Sequence, residues 1–215
     1  MTHYDQVATK IQPMNTADSI IARYDSELHG LGPTLPDDLA SGARSLESRL
    51  NEQQLDEWAS AGIDLARHSL RSWEAAAEYF RVRPQLFPAF SFEELLDWAT
   101  VAQELAESSS MIAAAFVRAT PAVLQPLQGA DDTDLGIMGE WVGRPGEQVR
   151  PWANLGRRLA HGNWKSVALA GSFFEQSPAL LHALPLDAVR ELVEVIDRLS
   201  ERSYQLAASC LERSG

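Results

Sequence analysis

Apolar side chains recur every three or four positions along most of the chain, and strict alternation of apolar and polar residues is nearly absent. This spacing places one apolar stripe along the face of a helix. The stripe runs through four segments, in which Trp58, Phe92, Trp152 and Val189 are early apolar positions. The pattern therefore predicts an all-α fold with four helical segments.

Each of the four segments has small or polar residues near its middle, where a helix could end. These places are Arg67-His68-Ser69, Ser108-Ser109-Ser110, His161-Gly162-Asn163 and Glu201-Arg202-Ser203. The third is the clearest, because Gly favours a left-handed C-terminal cap and Asn can cap the next helix. We therefore expect tandem helical hairpins in a solenoid-like, internally duplicated arrangement. The alternative is a bundle of four long helices, which the continuous stripes also allow.

Local signals predict several helix ends. Asn51 with Gln54, and Ser91 with Glu94, pair a capping side chain with a residue three positions later that can bond back to it. Proline cannot continue a helix without losing a hydrogen bond. Three prolines are therefore predicted to stop the second helices of their hairpins: Pro84, Pro121 and Pro178.

Part of the chain recurs 94 positions later, since residues 58–121 align without a gap with residues 152–215. The opening motif Trp58-Ala59-x-x-Gly62-x-x-Leu65-Ala66 returns as Trp152-Ala153-x-x-Gly156-x-x-Leu159-Ala160. A weaker copy begins at Trp98, which gives a unit of about 40 residues, the size of two-helix solenoid repeats. We interpret Trp and Gly in this motif as packing positions that let neighbouring helices approach closely.

This organisation divides the chain into four stretches. The first contains a helix near Thr16 to His29 that Gly30 closes, a turn, and a short helix from Asp37. The predicted stretches are an N-terminal helical cap (1–50), a first helical repeat pair (51–127), an inter-repeat loop (128–146) and a second helical repeat pair (147–215).

Composition narrows the classes of function. A formal net charge of −12 disfavours nucleic acid as a partner, because phosphate binding needs a clustered basic surface. The single cysteine, Cys210, excludes an intramolecular disulfide and fits a reducing cytosol. The N-terminal residues lack the pattern of a signal peptide, and no stretch is apolar enough to cross a membrane. We expect a cytoplasmic protein without a transmembrane segment.

No catalytic motif is visible. The five histidines never fall in pairs at three- or four-residue spacing, and no phosphate-binding loop, nucleophile elbow or dinucleotide fingerprint occurs. We therefore predict no enzyme activity, no cofactor and no metal site.

The predicted loop contains the candidate partner-binding residues. Asp131, Asp132 and Asp134 lack the spacing of an EF-hand, so we interpret them as a solvated acidic loop. Trp141 is an aromatic side chain in the same loop, where it could anchor a partner or, alternatively, fill the junction between the halves.

One family shares the longer pattern of the repeat. The order Trp-x-x-x-Gly-x-x-Leu-Ala, then Ser-x-x-x-Ala-x-x-x-Phe-x-x-x-Pro-x-Leu, occupies residues 58–86 and 152–180. It resembles the helical repeats before the von Willebrand A domain in bacterial proteins of the nitric-oxide-reductase-activation and Rubisco-activation type. The resemblance covers residues 50–215 and implies an adaptor for MoxR-class AAA+ ATPases. An Asp-x-Ser-x-Ser metal-adhesion motif is absent from the chain, so no functional residue is carried over.

The leading hypothesis is a non-catalytic protein–protein interaction or adaptor module. By the offset of 94, Gly215 aligns with Pro121, so uncapped C-terminal helices are expected to bind another protein or a second copy. One alternative is a small-ligand-binding or enzymatic bundle with a site between the halves, for which His161, Asn163 and Arg67 are the nominees. Another is a phasin-like surface-binding protein, which needs wide exposed apolar faces. Five basic residues either form an edge or offset nearby carboxylates: Arg67, Arg71, Arg157, Arg158 and Lys165.

Overall fold

The computed structural model describes residues 15–81, 90–124, 145–161 and 163–214, which form ten helices and no strand. The all-α prediction is confirmed. The helices are α1 (Thr16–Leu31), α2 (Leu35–Leu46), α3 (Glu52–Arg67), α4 (Ser72–Arg81), α5 (Phe92–Ser108), α6 (Ser110–Leu124), α7 (Pro145–Leu159), α8 (Trp164–Ala183), α9 (Leu186–Arg202) and α10 (Tyr204–Ser214).

These helices pack as five consecutive pairs in two rows. Helices α1, α3, α5, α7 and α9 contact one another in that order and form the first row. Helices α2, α4, α6, α8 and α10 form the second row in the same way. Because the two helices of every pair also contact each other, each pair is a helical hairpin stacked on its neighbours. Short hairpins, and not four long helices, therefore form the described part of the chain.

Each of the four predicted segments is broken where its small or polar residues lie. Helices α5 and α9 correspond end to end at the offset of 94 positions, and both are followed by one extended serine. The Ser109 N–H donates to the carbonyl of Leu105 at 2.9 Å, and the Ser203 N–H donates to that of Leu199 at 2.7 Å. We therefore use the offset of 94 to define equivalent positions in the two halves.

The predicted N-terminal caps are confirmed. Asn51 and Gln54 form a reciprocal capping box at the start of α3, and Ser91 and Glu94 form one at the start of α5. The side chain of Asn163 caps α8 by accepting two backbone N–H groups. Its predicted companion, the glycine at position 162, lies outside the described residues.

The predicted proline stops are wrong at two of the three sites. Pro121 lies inside α6 and Pro178 lies inside α8, while Pro84 lies outside the described residues. Proline at position 178 leaves the carbonyl of Phe174 without its usual N–H donor. The hydroxyl of Ser177 donates to that carbonyl at 2.8 Å. This substitute bond lets α8 continue to Ala183, beyond the predicted aromatic end.

The N-terminal hairpin differs slightly from its prediction. Helix α1 continues through Gly30 to Leu31, and Gly32 follows as its cap. A Cβ atom at Gly32 would lie 2.9 Å from the Cβ of Trp73, so the close approach of α4 requires glycine there. Helix α2 begins at Leu35, before Asp37, because proline is tolerated in the first turn of a helix.

In the first half, the repeated tryptophan fills the space between the rows. Trp58 of α3 is buried, stacks on Tyr79 at 5.8 Å between ring centroids and meets the edge of Phe80 at 5.3 Å. The Tyr79 hydroxyl donates to the carbonyl of Trp58 at 3.2 Å, and burial raises the pKa of this phenol. A Cβ atom at Gly62 would lie 2.4 Å from the ring of Phe80, so glycine is needed for this contact.

The second half repeats this arrangement. Trp152 is buried and meets Phe174 at 5.2 Å between centroids, and a Cβ atom at Gly156 would lie 2.1 Å from the ring of Phe174. In the weaker copy, the Trp98 indole N–H donates to the hydroxyl of Thr120 at 3.0 Å. Thr120 follows Trp98 by 22 positions, the same spacing as Phe174 after Trp152. The packing interpretation of the Trp and Gly motif is confirmed.

Candidate functional site

The partner-binding residues proposed from the sequence all fall in one undescribed stretch. Trp141, Asp131, Asp132 and Asp134 lie outside the described residues, as does most of the predicted inter-repeat loop. Their role stays a prediction. The described residues offer other candidate surfaces.

The three polar nominees for a ligand site do not converge. Arg67 pairs with Asp64 at 3.2 Å and with Glu27 of α1. His161 and Asn163 lie at the other end of the stack, beside a depression of about 360 Å³ near the turns of the last two hairpins. Asn163 is already engaged in capping α8. These residues therefore do not form one site between the halves.

The five basic residues divide into two groups. Arg67, Arg157 and Arg158 form ion pairs with carboxylates of neighbouring helices, as the second of the two interpretations predicts. Arg71 and Lys165 have no carboxylate partner among the described residues, although the Lys165 ammonium lies 5.7 Å from the centroid of the Trp164 ring. Arg71 and Lys165 occupy equivalent positions.

The contact of α5 and α6 with α7 and α8 shows how one hairpin covers another. The hairpin of α5 and α6 has buried apolar side chains that include Val101, Leu105, Ile112 and Phe116. The ring of Phe116 lies 5.0 Å from that of Trp152 on α7 and 5.5 Å from that of Phe174 on α8. We call this contact the interior joint.

Arginines of α7 fix the polar margin of the interior joint. The Arg150 guanidinium donates to Asp97 at 2.7 Å and to Glu104 at 2.8 Å, both on α5. These hydrogen bonds raise the pKa of Arg150, and the bond to Asp97 makes the largest contribution. Arg157 reaches Glu104 at 3.9 Å. Apolar burial at the centre and arginine–carboxylate pairs at the margin together define the joint.

The equivalent face of the last hairpin is open. Val195 on α9 is 43% exposed and Leu206 on α10 is 59% exposed, whereas the equivalent Val101 is 2% exposed and Ile112 is fully buried. We call Val195, Leu199, Leu206 and Cys210 the terminal face. Two adjoining depressions of about 450 and 480 Å³ lie on it and share the side chain of Leu199.

The margin of the terminal face is more basic than that of the interior joint, although Glu191 keeps the acidic position of Asp97. Arg198 occupies the position equivalent to Glu104, and Arg202 and Arg213 also line the depressions. Within the described ranges none of these three arginines pairs with a carboxylate, although Arg198 donates to the backbone carbonyl of Glu194 at 3.1 Å. Glu201 lines the same depression as Arg202.

The opposite end of the stack differs. Among the described residues of α1 and α2, no large apolar side chain is exposed. Exposure of large apolar side chains at an end of the stack is therefore confined, in the part of the chain that the structure describes, to the hairpin of α9 and α10. Residues 1–14 lie outside that part.

The sequence pattern missed a second exposed surface. Leu70 is 99% exposed and Trp164 is 73% exposed, and the two occupy equivalent positions at the turns before α4 and α8. Both line one shallow depression of about 730 Å³, with Arg71 beside Leu70 and the turn of α5 and α6 between them. We call this depression the turn groove. Its signal in the sequence was an apolar residue followed by a basic one at each turn.

Three further observations complete the picture. The described residues contain no group of three or more His, Cys, Asp or Glu side chains that could hold a metal ion. None of the described helices combines the length and the apolar character that crossing a bilayer requires. Comparison with protein-family models, with curated proteins and with solved structures finds no match for the chain.

Proposed function

We propose that this protein is a non-catalytic helical interaction module that binds another protein through its terminal face. One observation carries the proposal. Val101 and Ile112 are buried in the hairpin that α7 and α8 contact, whereas the apolar side chains at the equivalent positions of the last hairpin, Val195 and Leu206, are exposed. Exposed apolar surface rimmed by polar residues is typical of a protein interaction site.

The interior joint indicates the shape of the partner. Two adjacent helices cover α5 and α6, so a helical pair, or one amphipathic helix laid between α9 and α10, fits the equivalent face. The reversal from Glu104 to Arg198 indicates the partner's charge. Where α7 provides Arg150 opposite Glu104, the partner is expected to provide a carboxylate opposite Arg198, because opposite charges at the rim favour the correct register.

The resemblance described above suggests the first partner to test, a MoxR-class AAA+ ATPase. The absence of a catalytic motif and the single cysteine support an adaptor that works in the cytosol. In this proposal the chain supplies binding surface alone, and any chemistry belongs to the partner.

The experiment compares the wild-type chain with the double variant Val195→Asp and Leu206→Asp. Both side chains are exposed, so the variant is expected to keep its helical content and thermal unfolding. A purified candidate ATPase, or a protein captured by the wild type, is titrated with both chains. The double variant is expected to bind at least about thirtyfold more weakly, the loss typical of interface hot spots. Cross-links of the wild-type complex are expected on α9 and α10.

The matched control carries Ala22→Asp and Met111→Asp, two exposed apolar residues away from the terminal face. This control is expected to retain binding. Equal loss in both variants, or cross-links confined to other helices, contradicts the proposal. Sedimentation velocity at rising concentration tests the remaining occupant: a wild-type dimer that the terminal-face variant abolishes would replace the partner protein with a second copy.

A further inference from the structure

The turn groove is a surface that folding does not explain. Leu70 is 99% exposed, so its side chain contributes almost nothing to the core, and Trp164 is the most exposed tryptophan among the described residues. An isolated exposed apolar residue is ordinary. Here the same exposure recurs at equivalent positions, and both side chains line one depression.

Each of these apolar side chains has a cation next to it. Arg71 follows Leu70, and Lys165 follows Trp164 and lies over its ring. Neither cation pairs with a carboxylate among the described residues. Between the two ends the groove is lined by Glu107 and by the serines of the turn between α5 and α6. Arg71 lines the groove at one end, and at the other end Lys165 lies over the Trp164 ring and lines the neighbouring depression. The centre of the groove is acidic to neutral.

The spacing of the hairpins sets the length of a ligand. Leu70 and Trp164 lie at the starts of α4 and α8, which are separated in the second row by α6. Two helix-to-helix distances of 8–10 Å place them about 18 Å apart. An extended chain advances about 3.3 Å per residue, so a segment of about six residues joins the two ends.

We propose that the turn groove binds an extended peptide segment of a partner. The segment has an apolar side chain and an adjoining carboxylate at each end, and its centre is uncharged. The second apolar residue follows the first by about six positions, so both side chains face the groove. The apolar side chains contact Leu70 and Trp164, and the carboxylates pair with Arg71 and Lys165. The uncharged centre avoids Glu107. A peptide fits better than an anionic membrane, because a bilayer would face the whole body with its net charge of −12.

The test uses the full chain and a fluorescein-labelled peptide, acetyl-Asp-Leu-Ser-Ser-Ser-Ser-Ser-Leu-Asp, followed by fluorescence anisotropy. Its two leucines are six residues apart and therefore point to the same face of an extended chain. Trp164→Ala and Leu70→Ala are each expected to weaken binding about tenfold, because a central apolar contact is removed. Arg71→Glu and Lys165→Glu are expected to weaken it similarly and to remove most of its dependence on salt. Both apolar residues are exposed, so folding is expected to be unchanged in every variant.

Two controls separate this proposal from the function proposed above. Leu206→Ala, on the terminal face, is expected to leave peptide binding unchanged. A peptide with lysine in place of both aspartates is expected to bind at least about tenfold more weakly, since its charges repel Arg71 and Lys165. Equal binding of the two peptides overturns the proposal. So does binding of phosphatidylglycerol vesicles that Trp164→Ala abolishes while the acidic peptide does not bind.

Discussion

The hairpin of α5 and α6 and the hairpin of α9 and α10 have the same helix boundaries at their equivalent ends but different neighbours. Helices α5 and α9 correspond end to end, and the helices that follow them start at equivalent residues. Valine occupies equivalent positions 101 and 195, yet Val101 is buried while Val195 is exposed. The pattern within a hairpin determines which positions are apolar. Whether those positions are covered depends on what lies beside the hairpin.

The largest expected effect comes from placing the same charge at these two valines. Val101→Asp buries a carboxylate without a counter-charge and is expected to cost about 3 kcal/mol or more of the free energy of unfolding. Val195→Asp is expected to change it by less than about 0.5 kcal/mol, because the side chain already faces water. Urea unfolding followed by circular dichroism measures both values. Similar costs at the two positions would mean that the terminal face is covered in the isolated chain.

Much of the fold could be predicted because its signals are local. The breaks at Ser109 and Ser203, and the capping boxes at Asn51 and Ser91, depend on residues within one turn of the helix end. The prediction that Pro121 and Pro178 end their helices was wrong because it used the local signal of proline alone. The sequence marks the missing N–H of proline, and only the structure shows that the hydroxyl of Ser177 replaces it.

The candidate site was less predictable. The sequence indicates which positions of α9 and α10 are apolar, and the structure shows that Val195 and Leu206 among them are exposed. It could not separate Val195 from Val101, since both belong to the same apolar stripe and their exposure depends on contacts distant in sequence. Leu70 and Trp164 were missed because single apolar residues at turns carry no periodic signal.

A smaller effect is expected from adding one methyl group at two glycines of the second half. Gly156→Ala places a Cβ atom against the buried ring of Phe174 and is expected to destabilise the protein by about 1–3 kcal/mol through overpacking. Gly171 has no heavy atom within 4 Å of the added Cβ. Gly171→Ala is therefore expected to stabilise the helix by about 0.5–1 kcal/mol, since alanine loses less backbone entropy.

Thermal and urea unfolding of both variants decide between the two effects. A stabilising Gly156→Ala would show that the ring of Phe174 can move aside. In that case the close approach of α7 and α8 would not be what requires glycine at this position, and the similarity between the two tryptophan sites would lose its physical basis.

The smallest expected difference is that between the two serines that interrupt the paired hairpins. The Ser109 hydroxyl accepts the N–H of Met111 at 3.2 Å, and the Ser203 hydroxyl accepts that of Leu206 at 3.4 Å. Replacing either serine by alanine removes a cap and is expected to cost about 1 kcal/mol. The two costs are expected to agree within about 0.5 kcal/mol, because capping acts within one turn and does not depend on coverage. Hydrogen exchange of α6 and α10 measures each cost locally. A much smaller cost at Ser109 would mean that the interior joint, and not the cap, holds that turn in place.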